Sequence, residues 1–443
     1  MKYTNKLFFA FLTIALLTVS SRAKSQSKPA ASIYTIYSGN THAHTSYTGS
    51  HGEQFEKSAC KGIAVFGGDA SPDSVDTWKA GYVKTEGCAS IIIIRSTQYP
   101  GPNEVLKPDW QKFQGTPSAH FALAKANHYD FYVTTDHSQD YTLNPPNISN
   151  KAWVDSRQAA DAVTNSSFVA IRGYEHSENN GPNGQGHINI INSAEYLNAL
   201  DPKIDLPYLY NWLKTAKPNG DGPVVGTFNH PGPDQYNNWS YRDAAVTDIM
   251  TMLEVINSNN KIHYEGFLSA LDKGWKVSPV CGNDNHGLTG IKKHTSRTFV
   301  LAINKTKAAI LDAMKNRRTY ASLDQNIQCS YTVNDKIMGS TLPGSKEYKF
   351  KISISDPDSG NPKDKITKID IVSDSGKVVQ TYKADAYSVQ WSPTIRDQSN
   401  KYFFVRVYNA GGGDASGGDA EKPIAWLAPV WMGKQPGHVT LLQ

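Results

Sequence analysis

The chain has 443 residues, of which 39% are apolar and 19% are charged, and this composition indicates a folded protein of two or three domains. Its 45 Lys and Arg residues exceed its 40 Asp and Glu residues by five, and Lys2, Lys6 and Arg22 near the N-terminus supply three of these positive charges. So small a positive charge, without a cluster of Lys or Arg, argues against nucleic acid as a partner.

Residues 1–25 have the pattern of a signal peptide. Lys2 and Lys6 precede a thirteen-residue apolar run at 7–19, and the small residues Ala23 and Ser25 offer cleavage sites. A membrane span needs about 20 apolar residues, so the run is too short to cross a bilayer. We therefore expect an exported, soluble protein, periplasmic or extracellular, without a membrane span. A short buried N-terminal helix is the alternative interpretation.

From residue 33 to about residue 325, short β-like runs alternate with helical patterns. The predicted strands are 33–37, 129–134, 168–173, 187–191, 224–228, 249–256, 277–281 and 297–303. The predicted helices are 118–127, 151–163, 206–216, 263–271 and 305–315. Such alternation is typical of an α/β protein with a mostly parallel sheet or barrel.

The alternation is interrupted by an insertion at about 54–116, which is rich in Gly and Pro and has a candidate strand at 91–94. Within it, Cys60 and Cys88 could form a disulfide or remain two buried thiols, whereas Cys281 falls in a predicted strand and is expected to pack there.

Residues 328–443 show alternating runs separated by turns, which predicts a C-terminal all-β, sandwich-like domain. Its candidate strands are 348–354, 366–372, 378–382, 387–391, 402–408 and 425–431.

Most candidate ligands stand at the ends of predicted strands. They are His42, His44, Asp136, His137, Glu175, His176, His187, His230, Asp284 and His286, with Glu254 inside a strand. The C-terminal ends of parallel barrel strands open on one face, so we expect these side chains to converge on one pocket. The histidines without this context are expected to be surface or helix residues. They are His120, His128, His263, His294 and His438.

The residue types in this set favour metal binding. In the H-x-H of His42 and His44 on an extended strand, both imidazoles point the same way, and the same holds for Asp284 and His286. Imidazole and carboxylate donors without thiolate suit Zn, Mn or Fe, and their number exceeds the needs of one ion. Any one of these histidines could instead be an ordinary core or surface residue, and Glu254 could be a ligand or an outer partner. G-x-S-x-G, P-loop and H-E-x-x-H motifs are absent from the sequence, which argues against a triad hydrolase.

Taken together, these residues resemble the PHP family, the polymerase and histidinol phosphatase domain of metal-dependent hydrolases. The resemblance rests on H-x-H-T at 42–45, T-D-H at 135–137, G-Y-E at 173–175, N-H-P at 229–231 and N-D-N-H at 283–286. The segment 315–322 is also similar to the close of such domains. Within the family the chain looks closest to the secreted carbaryl-hydrolase-like branch, whose β-rich tails end in a segment similar to AWLAPVWM at 425–432.

The resemblance implies a distorted (β/α)7 barrel over 33–325 that holds two or three divalent metal ions. One ion would be held by His42, His44, Glu175 and Asp284, a second by Glu175, His187 and His230, and a third by His137 and His286. The family often has another His or Asp shortly after H-x-H, where this chain has Ser50 and His51, one position out of register.

The sequence therefore predicts an exported metal-dependent hydrolase, with a phosphoesterase acting on a small phosphomonoester or phosphodiester as the favoured activity. A metal-bridging hydroxide would attack the ester, Asp284 would act at the metal, and His286 or His176 would protonate the leaving oxygen. The first alternative is a metal-dependent carbamate, ester or amide hydrolase. The second is a non-catalytic exported binding protein, although structural metal sites usually have only four ligands.

Three basic residues near the motif strands, Arg172, Lys292 and Lys293, could hold a phosphate or be solvated surface charges.

Overall fold

The computed structural model describes residues 33–48, 111–178, 185–199, 201, 203–396, 399–412 and 422–433, together with four short strands between 55 and 106. The predicted signal peptide, Ser50, His51, the two cysteines of the insertion and His438 lie outside the described residues. Within the described part of the chain, no helix is both long and apolar enough to cross a membrane.

The first region alternates strands and helices. Its strands are β1 Thr35–Asn40, β2 Phe55–Lys57, β3 Gly81–Val83, β4 Ile91–Ile93, β5 Glu104–Leu106, β6 Phe131–Thr134, β7 Val169–Glu178, β8 Gly186–Ile191, β9 Val225–Asn229, β10 Met250–Asn257, β11 Lys261–Ile262, β12 Ser278–Cys281, β13 Arg297–Ala302 and β14 Thr319–Ser322. Its helices are α1 Gln111–Gln114, α2 Pro117–Ala126, α3 Lys151–Val163, α4 Leu206–Leu213, α5 Gln235–Trp239, α6 Ala244–Ile249, α7 Tyr264–Asp272, α8 Leu288–Lys293 and α9 Lys307–Lys315.

The C-terminal region is rich in strands. They are β15 Gln328–Val333, β16 Lys336–Ile337, β17 Thr341–Leu342, β18 Tyr348–Ser355, β19 Ile366–Val372, β20 Val378–Ala386, β21 Ser388–Trp391, β22 Thr394–Ile395, β23 Tyr402–Asn409, β24 Ala425–Leu427 and β25 Val430–Met432. The predicted run at 425–431 is two short strands, β24 and β25. Between them lies Pro429, which has no N–H to donate to a strand partner.

Local sequence explains where the elements begin and what they bury. Thr116 caps α2 by accepting a hydrogen bond from the backbone N–H of Ala119, and Pro117 follows at the first helical position. Strand β10 reads MTMLEVIN and is buried at every position, as expected for a strand covered on both faces. Strand β18 reads YKFKISIS, and its buried residues alternate with more exposed ones, as expected for a strand with one face on the core.

The central sheet of the first region curls. Strand β6 lies between β1 and β7 and is parallel to both, and β10 is likewise parallel to β9 and β12. Backbone hydrogen bonds join the segment after β12 to the segment after β1: His44 N donates to Asn285 O and Asp284 N donates to His42 O, both at 3.0 Å. The strand ends that carry the predicted ligands therefore meet.

Strand β8 runs antiparallel to both of its neighbours, β7 and β9. Its first residues therefore lie at the same edge as the C-terminal ends of those neighbours, which explains why His187 opens its strand while the other predicted ligands lie near strand ends. The coarser fold prediction is confirmed, since an α/β region with a curled sheet precedes a β-rich region. The predicted distorted (β/α)7 barrel is not confirmed, because β8 departs from the parallel order of such a barrel.

The two regions share a sheet and a core. Strand β14 pairs antiparallel with β24, and the sheet continues through β23, β19 and β20. A second sheet, in the order β16, β15, β18 and β21, packs against it. The core between them contains Phe299 and Tyr320 of the first region together with Tyr331, Phe350 and Phe403 of the C-terminal region.

Two described cysteines, Cys281 and Cys329, are buried free thiols, and burial raises the pKa of Cys281 to about 12. Cys281 packs in a strand, as the sequence predicts, and has no thiolate character.

Candidate metal centre

The structure brings together all eight side chains that the sequence nominates as metal ligands. They are His42, His44, His137, Glu175, His187, His230, Asp284 and His286. Within this set, three groups of three have donor atoms no more than 4.8 Å apart. The groups are His42, His44 and Glu175; Glu175, His187 and His230; and His44, His137 and His286.

His42 and His44 form the floor of the centre, and both are fully buried. The Nδ1 of His42 lies 2.8 Å from Glu254 Oε1, and a carboxylate only accepts, so Nδ1–H donates. The hydroxyl of Thr48 donates its one hydrogen to Asp136 Oδ1 at 2.9 Å, so it can only accept from His44 Nδ1, which is 3.2 Å away. In the neutral form of either ring, the Nε2 lone pair would thereby point into the centre.

The Nε2 atoms of His42 and His44 lie only 2.9 Å apart. Two imidazole lone pairs that face each other at this distance repel, unless a proton or a metal ion lies between or beside them. His44 Nε2 is also 3.0 Å from Asp284 Oδ1, and His42 Nε2 is 3.5 Å from Glu175 Oε1. This converging donor set fits a divalent cation.

Glu175 lies in the middle of the centre and is 1% exposed. Its Oε1 is 3.1 Å from His187 Nδ1 and 3.8 Å from His230 Nε2, while its Oε2 is 2.9 Å from His137 Nε2. The Nδ2 of Asn229 donates to Oε1 at 2.9 Å and holds the carboxylate in place. The two oxygens of Glu175 thus face different histidines, which is the arrangement that a bridging carboxylate requires.

The outer edge of the centre is formed by His187, His230, Asp284 and His286, whose side chains are 28%, 24%, 17% and 15% exposed. Asp284 has a φ of 47° and His230 a φ of 33°, so both lie in the left-handed region that few non-glycine residues adopt. Such backbone strain persists where the surroundings enforce it, commonly at functional sites.

The charges of the centre are coupled. Burial opposes protonation of His42, but the carboxylates of Asp284, Glu254 and Glu175 outweigh it and raise the pKa of that ring well above its ordinary value. Burial would raise the pKa of Glu175, yet His42 and His187 hold it well below its usual range. Burial, and then the charge of His137, lower the pKa of His44 to about 3. His42 and His44 likewise lower the pKa of Asp284, although burial alone would raise it, so both carboxylates stay ionised and the centre favours added positive charge.

Glu254 is an outer partner in this geometry. Its Oε1 accepts from His42, and its Oε2 accepts from the backbone N–H of His230 and from Asn257 Nδ2, both at 2.8 Å. Asp136 is likewise occupied, since it accepts from Thr45 N, Thr45 Oγ1 and Thr48 Oγ1. Burial raises the pKa of Asp136.

Some nominated residues are not brought into the centre. His176 follows Glu175 on β7 and, because successive strand side chains alternate, it points to the opposite face; this does not favour its predicted role as a proton donor. Arg172 is buried and donates to the backbone oxygens of Trp153 and Ser193, so it anchors α3 and does not hold a substrate phosphate. Lys292 and Lys293 are exposed on α8.

Sequence reasoning missed Thr48, Asn229 and Gly282. A Cβ on Gly282 would lie 1.8 Å from Glu254 Oε1 and 2.8 Å from His42 Cβ, so only glycine permits this packing. The glycine in C-G-N-D-N-H and the asparagine in N-H-P stand beside predicted ligands and were available as signals. For Thr48, which is six residues from His42, no spacing rule exists.

His263 was predicted to be a surface or helix residue, and it instead lies beside the centre. Its ring centroid is 6.2 Å from that of His230, and its Nδ1 is 3.3 Å from Pro231 O. It lines a groove of about 950 Å³ with Lys261, Tyr264 and Asp284. A second groove of about 640 Å³ contains Asp284, His286 and Lys293.

No protein-family model matches the chain, and no curated protein matches it. Among solved structures, the chain is similar to the crystal structure of a two-domain protein from Bacteroides vulgatus described as containing a predicted PHP-like metal-dependent phosphoesterase. The two are 15% identical, the alignment covers 90% of this chain and 96% of that chain, and the TM-score is 0.41. A likeness at this TM-score supports no argument about this chain.

Proposed function

We propose that the protein is a metal-dependent hydrolase of phosphoesters with a PHP-like centre. The observation that carries the proposal is the buried convergence of imidazole nitrogens and carboxylate oxygens around Glu175, with His42 Nε2 and His44 Nε2 held 2.9 Å apart. Membership of the PHP family, and of its carbaryl-hydrolase-like branch, is part of this proposal and rests on the motifs at the strand ends.

The residues that would hold the ions follow the three donor groups. Glu175 belongs to two of them and would be shared between two ions. His137 and His286 belong to the remaining group and would hold a third ion, whereas the single Nε2 lone pair of His44 would serve only the first. Divalent ions, when bound, would lower the pKa of a water molecule and stabilise negative charge that develops on the substrate.

The protein's own residues orient this chemistry. Glu254 and Thr48 fix the rings of His42 and His44, and Asn229 fixes Glu175. His286 Nδ1 donates to Asp284 O at 3.1 Å, which places the ring at the outer edge, where a leaving group would depart. In a centre of two ions, a protonated His286 is the proposed donor to that leaving group, whereas in a centre of three ions its Nε2 would be a ligand.

The two grooves beside Asp284 support a phosphoester substrate. Each contains an exposed lysine, Lys261 in the larger groove and Lys293 in the smaller one, and either ammonium could neutralise a phosphate oxygen. A phosphomonoester needs one groove, and a phosphodiester would occupy both.

A carbamate or carboxylic ester hydrolase is the second candidate. The larger groove is lined by Pro231, Pro233, Ile262 and Tyr264 as well as by Lys261, so it presents apolar surface to an aryl leaving group. Hydrolysis of an aryl carbamate faster than of either phosphoester would favour this candidate.

The test begins with the full chain, stripped by a chelator and reloaded with Zn, Mn or Fe. Each form is assayed with an aryl phosphomonoester, an aryl phosphodiester and an aryl carbamate. We expect one metal to restore phosphoester hydrolysis, and His42→Ala and Asp284→Ala to abolish it and to lower the bound metal. Glu175→Gln should be at least as damaging, because a neutral amide cannot neutralise two cations.

The matched control is His128→Asn, which changes an exposed histidine that has a φ of 63°, a conformation that asparagine tolerates. Full activity in His42→Ala or Asp284→Ala would refute the site. Export is also part of the proposal, and it is checked by cell fractionation and by sequencing the N-terminus of the mature protein.

A further inference from the structure

Three aspartates in and near the C-terminal region bring their carboxylates together. Asp324 follows β14, Asp356 follows β18, and Asp364 lies in the short helical turn before β19. One oxygen of each lies within 4.8 Å of an oxygen of both others. Three segments that are separate in sequence thus present like charges at one place, which would repel unless something compensates.

Hydrogen bonds satisfy part of this cluster. Asp324 Oδ1 accepts from the backbone N–H groups of Asn326 and Ile327, both at 2.8 Å. Asp356 Oδ1 accepts from the backbone N–H of Asp358 at 2.9 Å. Asp364 Oδ2 accepts from a side-chain amide at 2.7 Å.

One oxygen of the cluster has no such donor. Asp356 is only 5% exposed, and its Oδ2 is buried without a hydrogen-bond partner. A buried carboxylate oxygen without a hydrogen-bond donor is costly, so the cluster favours a bound positive charge.

We propose that Asp324, Asp356 and Asp364 bind one calcium ion. The donors are all oxygens, with no imidazole or thiolate, which selects a hard cation and distinguishes this site from the histidine centre. The segment 356–361 reads D-P-D-S-G-N, so further carboxylate, amide and backbone oxygens lie next to Asp356 to complete the six to eight ligands that calcium takes. Calcium is preferred to magnesium here, because magnesium requires a nearly ideal octahedron of ligands and usually keeps several waters.

The bound ion would join the connection after β14 to the ends of β18 and β19. These strands belong to both sheets that enclose the shared core, so the ion would stabilise the junction of the two regions. Because a ligand that binds only the folded state raises its melting temperature, we expect calcium to raise the melting temperature of the full chain by about 2–6 °C.

The experiment uses the full chain after chelation and dialysis. Melting temperature is measured with CaCl2, MgCl2 or ZnCl2, and the ion is titrated calorimetrically. We expect one calcium ion per chain and a rise in melting temperature that Asp356→Asn and Asp364→Asn abolish. The control Asp335→Asn changes an aspartate with a 79% exposed side chain and should keep the full rise. His42→Ala should also keep it, which separates this site from the histidine centre.

Asp356→Asn removes a charge from a repulsive cluster, so this variant should melt no lower than the chelated parent. Absence of calcium binding in the parent, or an unchanged calcium effect in both variants, would overturn the proposal. Magnesium that raises the melting temperature as much as calcium does would overturn the choice of ion.

Discussion

At the scale of single residues, the candidate centre depends on side chains that would not touch a metal. Two histidines can turn their Nε2 atoms inward only because Glu254 and Thr48 bind the opposite ring nitrogens. Such outer partners commonly account for 10–100-fold in metal affinity or activity. The hydroxyl of Thr48 makes three hydrogen bonds. It donates to Asp136, and it accepts from His44 and from the backbone N–H of His137.

Thr48→Val should therefore weaken metal binding about 10–100-fold without removing a proposed ligand. Valine has the shape of threonine but cannot accept from His44 Nδ1, so the ring loses its fixed tautomer. The measurement is the dissociation constant of the preferred metal, determined by competition with a chromophoric chelator. Thr48→Ser is the matched control and should bind within a few-fold of the parent. Equal affinity in the valine variant would contradict the orienting role.

Gly282→Ala tests the packing beneath the centre. The added methyl group would lie only 1.8 Å from Glu254 Oε1, so the carboxylate must move away from its place beside His42. We expect a loss of bound metal and a lower melting temperature. The free energy of unfolding should fall by about 1–3 kcal/mol, the size seen when a packed core is overfilled. Gly360→Ala, measured without added calcium, is the control, because no atom lies within 4 Å of its added Cβ. A Gly282→Ala protein with normal metal content would show that the contact has no influence on the centre.

At the scale of elements, hydrophobic periodicity predicts most strands and helices of the described residues, and the predicted α3 has the bounds that the structure gives, Lys151–Val163. Strand direction is not encoded in that periodicity, because parallel and antiparallel strands alternate side chains in the same way. The sequence therefore predicts that His187 opens a strand but not that β8 is antiparallel. Contacts made by long-range partners, such as Glu254 with His42, also have no local sequence signature.

Helix α2 carries a histidine, His120, whose burial the sequence does not reveal. His120 is fully buried, its Nε2–H donates to Gln114 O at 2.7 Å, and burial lowers its pKa to about 4. Above pH 6.5 the ring is neutral in both the folded and the unfolded chain and does not alter stability. As the pH falls from about 6.5 towards 4, the ring of His120 becomes protonated in the unfolded chain but stays neutral in the folded chain. The folded state is therefore progressively destabilised.

His120→Gln should remove this contribution. Between pH 7 and pH 5 the free energy of unfolding of the parent should fall by about 2 kcal/mol more than that of the variant, since each pKa unit corresponds to about 1.4 kcal/mol. The measurement is urea unfolding at both pH values. His128→Asn, at an exposed position just after the same helix, should retain the parent's pH dependence. If the free energy of unfolding fell equally between pH 7 and pH 5 in the parent and in His120→Gln, His120 would not be the source of this pH dependence.

At the scale of the whole molecule, the two regions are joined by more than a surface contact. The pairing of β14 with β24 places Tyr320 opposite Leu427, and the ring of Tyr320 stacks on that of Phe299 with centroids 4.5 Å apart. One sheet and one apolar core thus continue from the strands beside the candidate metal centre into the C-terminal region. Such continuity predicts that the two regions unfold as one cooperative unit.

Leu427→Ala tests this coupling in the full chain. Leu427 is fully buried, and removing its side chain should cost about 2–5 kcal/mol of unfolding free energy. If unfolding is cooperative, calorimetry should give a single transition at a lower temperature. In hydrogen-exchange measurements, the backbone amides of β6 and β7 should exchange faster, as should those of β23. Val378→Ala, at a position on β20 that is 43% exposed, should leave both measurements nearly unchanged. Faster hydrogen exchange confined to the C-terminal strands, or a second calorimetric transition, would show instead that the β-rich region unfolds on its own. In that case, loss of the β24 contact would not reach β6, which ends three residues before His137, or β7, which carries Glu175.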